Sequence, residues 1–306
     1  MIAVPGSGFA EKLPVFVSIL PQRHFVQQIG RDLVDVQVMV EPGASPHNYE
    51  PKPRQMVALS KARIYFAIGA PFEAVWLDRI SAANPEMTIV RTDAGIEKIP
   101  MTADHHHEAE IHAETGAHNG TGSRLAGGRP ADSFLSGPNE HEEGGTPDPH
   151  IWLSPPLVRI LAGHILSALK TADPVNGDRY ERNHADFVRE VDDLHADLQE
   201  FLADKAGTAF MVFHPSWGYF ARTYGLRQIP IEIEGKEPKP AQLRQLITHA
   251  RAEGIRIVFV QPQFSRKSAS TIARAIGGEV VFTDSLAPDW AENLRRQAEQ
   301  FEKALR

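Results

Sequence analysis

The stretch AFMVFHPSWGYFARTYGLRQIPIEI (209–233) reads as one strand–helix–strand unit. Ala209–Phe213 is a short continuous apolar run, the pattern of a strand buried on both faces. Gly218–Tyr224 has helical spacing, and Ile229–Ile233 is a second apolar run. Two strands separated by a short helix predict parallel neighbours joined by a crossover.

The same rhythm extends outward on both sides. Toward the C-terminus come a helix at Pro240–Glu253, a strand at Ile257–Val260, a helix at Ser268–Ile276, a strand at Val280–Thr283 and a helix from Pro288 to Arg306. In the first hundred residues, strands at Val15–Leu20, Val34–Val40, Ile64–Ile68 and Met87–Val90 alternate with helical patterns around Phe25–Gly30, Pro53–Ala62 and Phe72–Ala83. Alternation of this kind predicts an α/β fold with parallel sheets flanked by helices. Between the two series, Ser154-Pro155-Pro156 suits a helix start, with serine able to cap and proline suited to the first turn. A long pattern then runs from Asp178 to about Ala203. Phe187, Val191, Leu194, Leu198 and Leu202 recur every three or four residues, giving one apolar stripe on a helix roughly 38 Å long. The expected organisation is a lobe over 14–174, a connecting helix over 175–204 and a second lobe over 205–306.

Composition narrows the function. The chain has 306 residues, room for two lobes of ordinary size, and its net charge of -7 argues against a nucleic-acid partner. No apolar run approaches the roughly 20 residues that span a bilayer. With no cysteine, disulfides, thiolate metal sites and cysteine nucleophiles are excluded together. Met1–Lys12 shows no charged segment followed by an apolar one, which alone points to the cytosol; a leader removed ahead of the strand near Pro14 fits equally.

Fourteen histidines remain, unevenly placed. His47 lies in the loop after the second strand, His150 in the turn before a helix, and His214 directly after a strand. Asp284 also follows a strand directly, although an aspartate before Ser285 equally suits capping the next turn. Ligands of open parallel sheets bind beyond the carboxyl ends of the strands, so two lobes facing each other would bring these four side chains to one cleft. Three imidazoles and a carboxylate form a closed tetrahedral set that suits Zn²⁺ better than manganese and leaves no position for a catalytic water. His164, His184, His195 and His249 lie on helical patterns and read as exposed or satisfied side chains, and His24 opens a helix. Trp217, Tyr219 and Phe220 read as core and cleft wall. There is no GxSxG elbow, no HExxH helix and no nucleotide-binding glycine motif.

A separate signal lies between Met101 and Asp148, where the α/β pattern stops. His105, His106, His107, His112, His118 and His141 are set among acidic residues and glycines, with little apolar content to offset ordering. A disordered surface loop binding further ions weakly is the expectation.

The segments GASPHNYEPKPRQ (43–55), DPHIWLSP (148–155), VFHPSWGYFARTYGL (212–226), VFVQPQFS (258–265) and VFTDSLA (281–287) together resemble the cluster A-I (cluster 9) zinc and manganese solute-binding proteins of ABC transporters. The likeness runs from Pro14 through almost the whole chain. It implies two lobes on one rigid helix, one high-affinity metal site in the cleft, and ligand roles for His47, His150, His214 and Asp284. Histidine at position 214 and the acidic histidine-rich insertion resemble zinc-type members; manganese-type members tend to carry glutamate at the former. Gln261 departs from the glutamate of many relatives. The resemblance further implies a periplasmic or extracytoplasmic monomer that is no enzyme and delivers Zn²⁺ to a membrane permease, with a metallochaperone as a second candidate partner. The alternatives are a manganese-specific member of the same family and, in a different class, a metal-dependent hydrolase, which needs an open coordination position and a general base.

Overall fold

The computed structural model describes residues 11–101, 146–233 and 235–304. Two four-stranded sheets, parallel throughout, form the frame. The first consists of β1 (Leu13–Val17), β2 (Val34–Val38), β3 (Ile64–Ala67) and β4 (Thr88–Arg91) in the order β2-β1-β3-β4. The second consists of β5 (Ala209–Val212), β6 (Arg227–Pro230), β7 (Ile257–Val260) and β8 (Glu279–Phe282) in the order β6-β5-β7-β8. The two halves therefore share one topology, as the alternating pattern predicts, and in each the first strand, β1 or β5, takes one of the two central places.

The helices α1 (Leu20–Gly30), α2 (Pro53–Leu59), α3 (Pro71–Ala83) and α4 (Pro155–Ala172) belong to the first half, and α6 (Gly218–Tyr224), α7 (Pro240–Ala252), α8 (Arg266–Ile276) and α9 (Trp290–Ala304) to the second. Between them runs α5 (Gly177–Leu202), 26 residues in length, whose buried stripe includes Phe187, Val191, Leu194, Leu198 and Leu202. Spacing alone identifies this helix, because only a 3.6-residue period places those five side chains on one face.

Some boundaries differ from expectation for local reasons. Leu20 begins α1 instead of ending β1: Pro21 pre-sets a helical φ in the first turn, and the Gln22 side-chain oxygen accepts the backbone N–H groups of Ser18 (3.0 Å) and Ile19 (3.3 Å). Ser154 precedes α4 but makes no capping bond; its hydroxyl pairs with Thr223 Oγ1 at 2.9 Å. Strand β6 stops at Pro230, and the chain then turns through an Ile233–Lys236 bridge and Gly235, whose φ of +72° favours glycine. Met101 and Thr146–Asp148 are also ordered: Met101 N–H donates to Thr146 O and Asp148 N–H to Ile99 O, both at 2.8 Å. The expected histidine-rich loop, His105 to His141, lies outside the described residues.

The strands of the second sheet sort their side chains by parity. Phe210, Val212, Ile257 and Phe259 join a core that continues through Phe187, Leu194 and Leu198 of α5 to Phe25 and Val26 of α1. Ala209, Met211, Val258 and Val260 face the other way, toward Ala269 and Ile272 of α8. One apolar core thus runs from the first sheet through α5 to the near face of the second, and this ties both lobes to the helix between them.

Candidate metal centre

β2 ends at Val38, and the loop that follows carries His47 back toward the first lobe's strand ends. Glu41 anchors this loop to the start of α2 through ion pairs with Lys52 and Arg54. His150 stands immediately before a 3-10 turn, Ile151–Leu153, whose residues are fully buried. His214 lies two residues past β5. The three rings meet: centroids are 4.5 Å apart for His47 and His214, 5.2 Å for His150 and His214, and 5.5 Å for His47 and His150. One ring nitrogen from each lies within 4.8 Å of the others, a spacing able to hold one metal ion.

Each ring is turned by its surroundings. His150 Nδ1 lies 2.6 Å from Asp148 Oδ1, which also accepts the His150 backbone N–H at 2.9 Å. His214 Nδ1 lies 2.7 Å from Glu232 Oε1, and the flat face of the ring stacks on Phe264 at 4.9 Å. A carboxylate beside Nδ1 accepts a hydrogen bond from Nδ1–H and so leaves the Nε2 lone pair free for a metal, the arrangement typical of metal-binding histidines. Nε2 of His47 and of His214 are both buried without a hydrogen-bond partner. Buried polar atoms are normally satisfied, so two unpartnered nitrogens on rings in mutual contact mark a place for an electron-pair acceptor. Burial, then the neighbouring His150 and His214, lower His47 to about 3. Burial also lowers His150, against the opposing pull of Asp148. Both rings are therefore neutral at physiological pH, the form that coordinates a metal.

Asp284 stands outside this group of three. Its Oδ1 accepts the Leu286 backbone N–H at 2.9 Å, the turn-capping arrangement that its place before Ser285 allowed. Its neighbours Ser285 and Leu286 nevertheless wall the small cleft that opens onto the histidines, together with Ser45, Pro46 and Phe264.

The remaining sequence candidates lie elsewhere. His24 sits among Phe25, Phe187 and Trp290, with centroids 6.1–6.3 Å away. His164 and His195 are satisfied by Ala94 O and Tyr224 OH, both at 3.1 Å. His184 is not: its Nε2 is buried without a partner. Trp217, Tyr219 and Phe220 are buried, as their pattern implies. The six histidines between 105 and 141 fall outside the described residues.

Sequence reasoning gave no role to Asp148 or Glu232. The first lies inside a quoted motif, two residues from its histidine. The second was legible only through strand register: β5 pairs with β6 at a constant offset, Ala209 with Arg227 and Val212 with Pro230, and the same offset carries His214 onto Glu232.

Two parallel-sheet lobes on a long helix, with a trio of touching histidines, two of them buried and one half-buried, define the class of two-lobed solute-binding proteins. The chain belongs to the family described as ZnuA, the periplasmic component A of a zinc-uptake complex, which it matches over residues 15–304. It is 26% identical over 281 residues to the high-affinity zinc uptake system protein ZnuA of Bacillus subtilis, covering 90% of this chain and 79% of that protein. Among solved structures, a crystal structure of ZnuA is 38% identical with a TM-score of 0.80, covering 97% of this chain and 100% of that one. A zinc-bound ZnuA lacking its residues 138–173 is 39% identical with a TM-score of 0.79, covering 96% of this chain and 98% of that one.

Proposed function

We propose that this protein binds one Zn²⁺ as cargo through His47, His150 and His214, with Asp284 as the fourth ligand, and delivers it to the permease of an ABC importer. The observation that carries this reading is the contact of three histidines from distant parts of the chain, two of them with buried, unpartnered Nε2 atoms. Neutral nitrogen donors suit zinc better than manganese, which favours oxygen. The two carboxylates behind His150 and His214 bring negative charge close to the ion without entering its ligand set.

Asp284 completes the set by releasing the Leu286 N–H and turning into the cleft. Four protein ligands leave no water-bearing position, so the site carries the ion and performs no catalysis. The lobes are assigned to 14–174 and 205–306 with the connecting helix at 175–204. Their shared core with α5 restricts closure to small tilts. The protein acts as a monomer in the periplasm or an equivalent extracytoplasmic space. The histidines between 105 and 141 hold further ions weakly, and a metallochaperone is a second candidate partner.

The test is elemental analysis of the purified protein with competition between Zn²⁺ and Mn²⁺ against a chelator of known affinity. One tightly held zinc per chain, retained against excess manganese, is expected. Manganese preference, or unchanged zinc affinity after replacement of His47, His150 or His214 by alanine, overturns the reading.

A further inference from the structure

Glu232 is a buried carboxylate whose one ion-pair contact among the described residues is a histidine ring. Removing a carboxylate from water is costly unless charge and hydrogen bonding compensate. No lysine or arginine among the described residues pairs with it. Its compensation in the ion-free protein is His214 Nδ1 at 2.7 Å.

The backbone places the two side chains together. Beyond the end of β6, Ile231 N–H still donates to Val212 O at 2.9 Å and Glu232 N–H to Phe213 O at 3.1 Å. These bonds continue the β5–β6 pairing to the point where His214 and Glu232 are opposite each other. On the other side of His214, Gln261 occupies the position where β7 would pair. Its Oε1 accepts the His214 N–H at 3.3 Å, and its Nε2 donates to His214 O at 2.6 Å and to Ser216 Oγ at 3.0 Å. The main chain of His214 is therefore clamped by an amide that both donates and accepts, which a carboxylate at position 261 could not do. That clamp fixes the main chain, and Phe264 stacks on the face of the ring, but neither decides which ring nitrogen carries the proton. Glu232 is the group that acts on the ring.

Resting on the ligand assignment made above, we propose that Glu232 is a positioning residue for zinc capture: it holds His214 in the Nδ1–H tautomer, so that Nε2 presents its lone pair to the cleft before the ion arrives. A free imidazole exchanges between tautomers, and only the form with an unprotonated Nε2 binds at that atom. Gln261 fixes where the residue stands, and Glu232 fixes which nitrogen it offers.

The experiment combines ring-nitrogen NMR of the ion-free protein with chelator-competition zinc titrations on Glu232→Ala, Glu232→Asp, His214→Ala and the His214→Ala/Glu232→Ala double variant. In the unaltered protein His214 is expected as the Nδ1–H form. In Glu232→Ala it shifts toward Nε2–H and zinc affinity falls about 10–100-fold, the usual cost of losing a partner behind a metal ligand. Glu232→Asp recovers part of both. The double variant binds zinc as poorly as His214→Ala alone. Should Glu232→Ala fail to fold, Glu232→Leu, which fills more of the space and has no acceptor for Nδ1–H, carries the same comparison. Zinc affinity within twofold of the unaltered protein, or an unchanged His214 tautomer, overturns the role of Glu232. Undiminished affinity in His214→Ala overturns instead the ligand assignment beneath it.

Discussion

The indole Nε1 of Trp290 donates to the backbone carbonyl oxygen of Trp152 at 2.7 Å, and Trp152 Nε1 donates in turn to the carbonyl oxygen of Ser285 at 2.7 Å. Both indoles are buried. The pair joins the turn behind His150 to the segment that leads from β8 into α9. Since Asp284 adjoins that segment, the two tryptophans fix the distance between a histidine of the first half and the carboxylate proposed to complete the site.

Replacing Trp290 by phenylalanine keeps most of the apolar bulk but leaves the Trp152 carbonyl without its donor. An unsatisfied buried polar group costs about 1–3 kcal/mol. Chemical denaturation of the ion-free variant is expected to show a loss of that size, with weaker zinc binding as the two segments loosen. Unchanged stability and affinity would mean that water replaces the indole at no cost.

Removal of any one of the three histidines acts on the zinc-bound state far more than on the ion-free one. The unaltered protein gains about 2.7 kcal/mol from a ligand at 100 times its dissociation constant. His47→Ala, His150→Ala and His214→Ala should each lose most of the zinc-induced rise in melting temperature. An alanine variant that keeps the full rise would exclude that residue as a ligand. Asp284→Ala tests the fourth position in the same way: a smaller zinc-induced rise supports its entry into the set, and an undiminished one leaves it as the cap of its turn.

Gly218 at the start of α6 lets that helix approach Asp148: a Cβ there would meet Asp148 Oδ2 at 2.8 Å. Asp148 is buried and orients His150 through its other oxygen, so it cannot swing away without disturbing the ring. Gly218→Ala is therefore expected to lower zinc affinity by roughly 10-fold, within the range for disturbing a partner behind a ligand, while Gly163→Ala, where an added Cβ meets nothing, leaves affinity unaltered. Competition titration of the two variants decides the matter; equal affinities would show that Asp148 yields freely.

Acid sensitivity follows from His24. Burial lowers its pKa from 6.5, with Asp289 opposing. The folded state thus takes up a proton at this ring less readily than the unfolded chain does. Its contribution to stability is complete above the unfolded value of 6.5 and is lost as pH falls from there through the lower folded value. Relative to the unaltered protein, His24→Phe should gain stability as pH falls below 6.5. A difference in unfolding free energy that stays flat over this range would show that the ring is not resisting protonation.

Much of this architecture was legible before any coordinates. Short continuous apolar runs and period-3.6 stripes separate strands from helices, because the first suit strands covered on both faces and the second place side chains on one buried face; α5 shows the second most clearly, its five stripe residues all buried. The positions of His47, His150 and His214 after strands or before a helix also pointed to one cleft, since parallel sheets direct their loops to one end. Less legible were the ends of elements: Leu20 entered a helix through a proline and a glutamine side chain, and β6 ended where a glycine turn took over.

The residue types, their spacing along each element and the chemistry of the imidazoles were properties of the chain as written, because they depend on neighbours a few positions away. Which nitrogen each ring offers, that Asp284 holds a backbone N–H instead of facing the histidines, and that Glu232 stands behind His214 were decided by the tertiary structure. Those outcomes depend on the register between strands and on contacts between segments far apart in sequence, and residue types alone do not specify either.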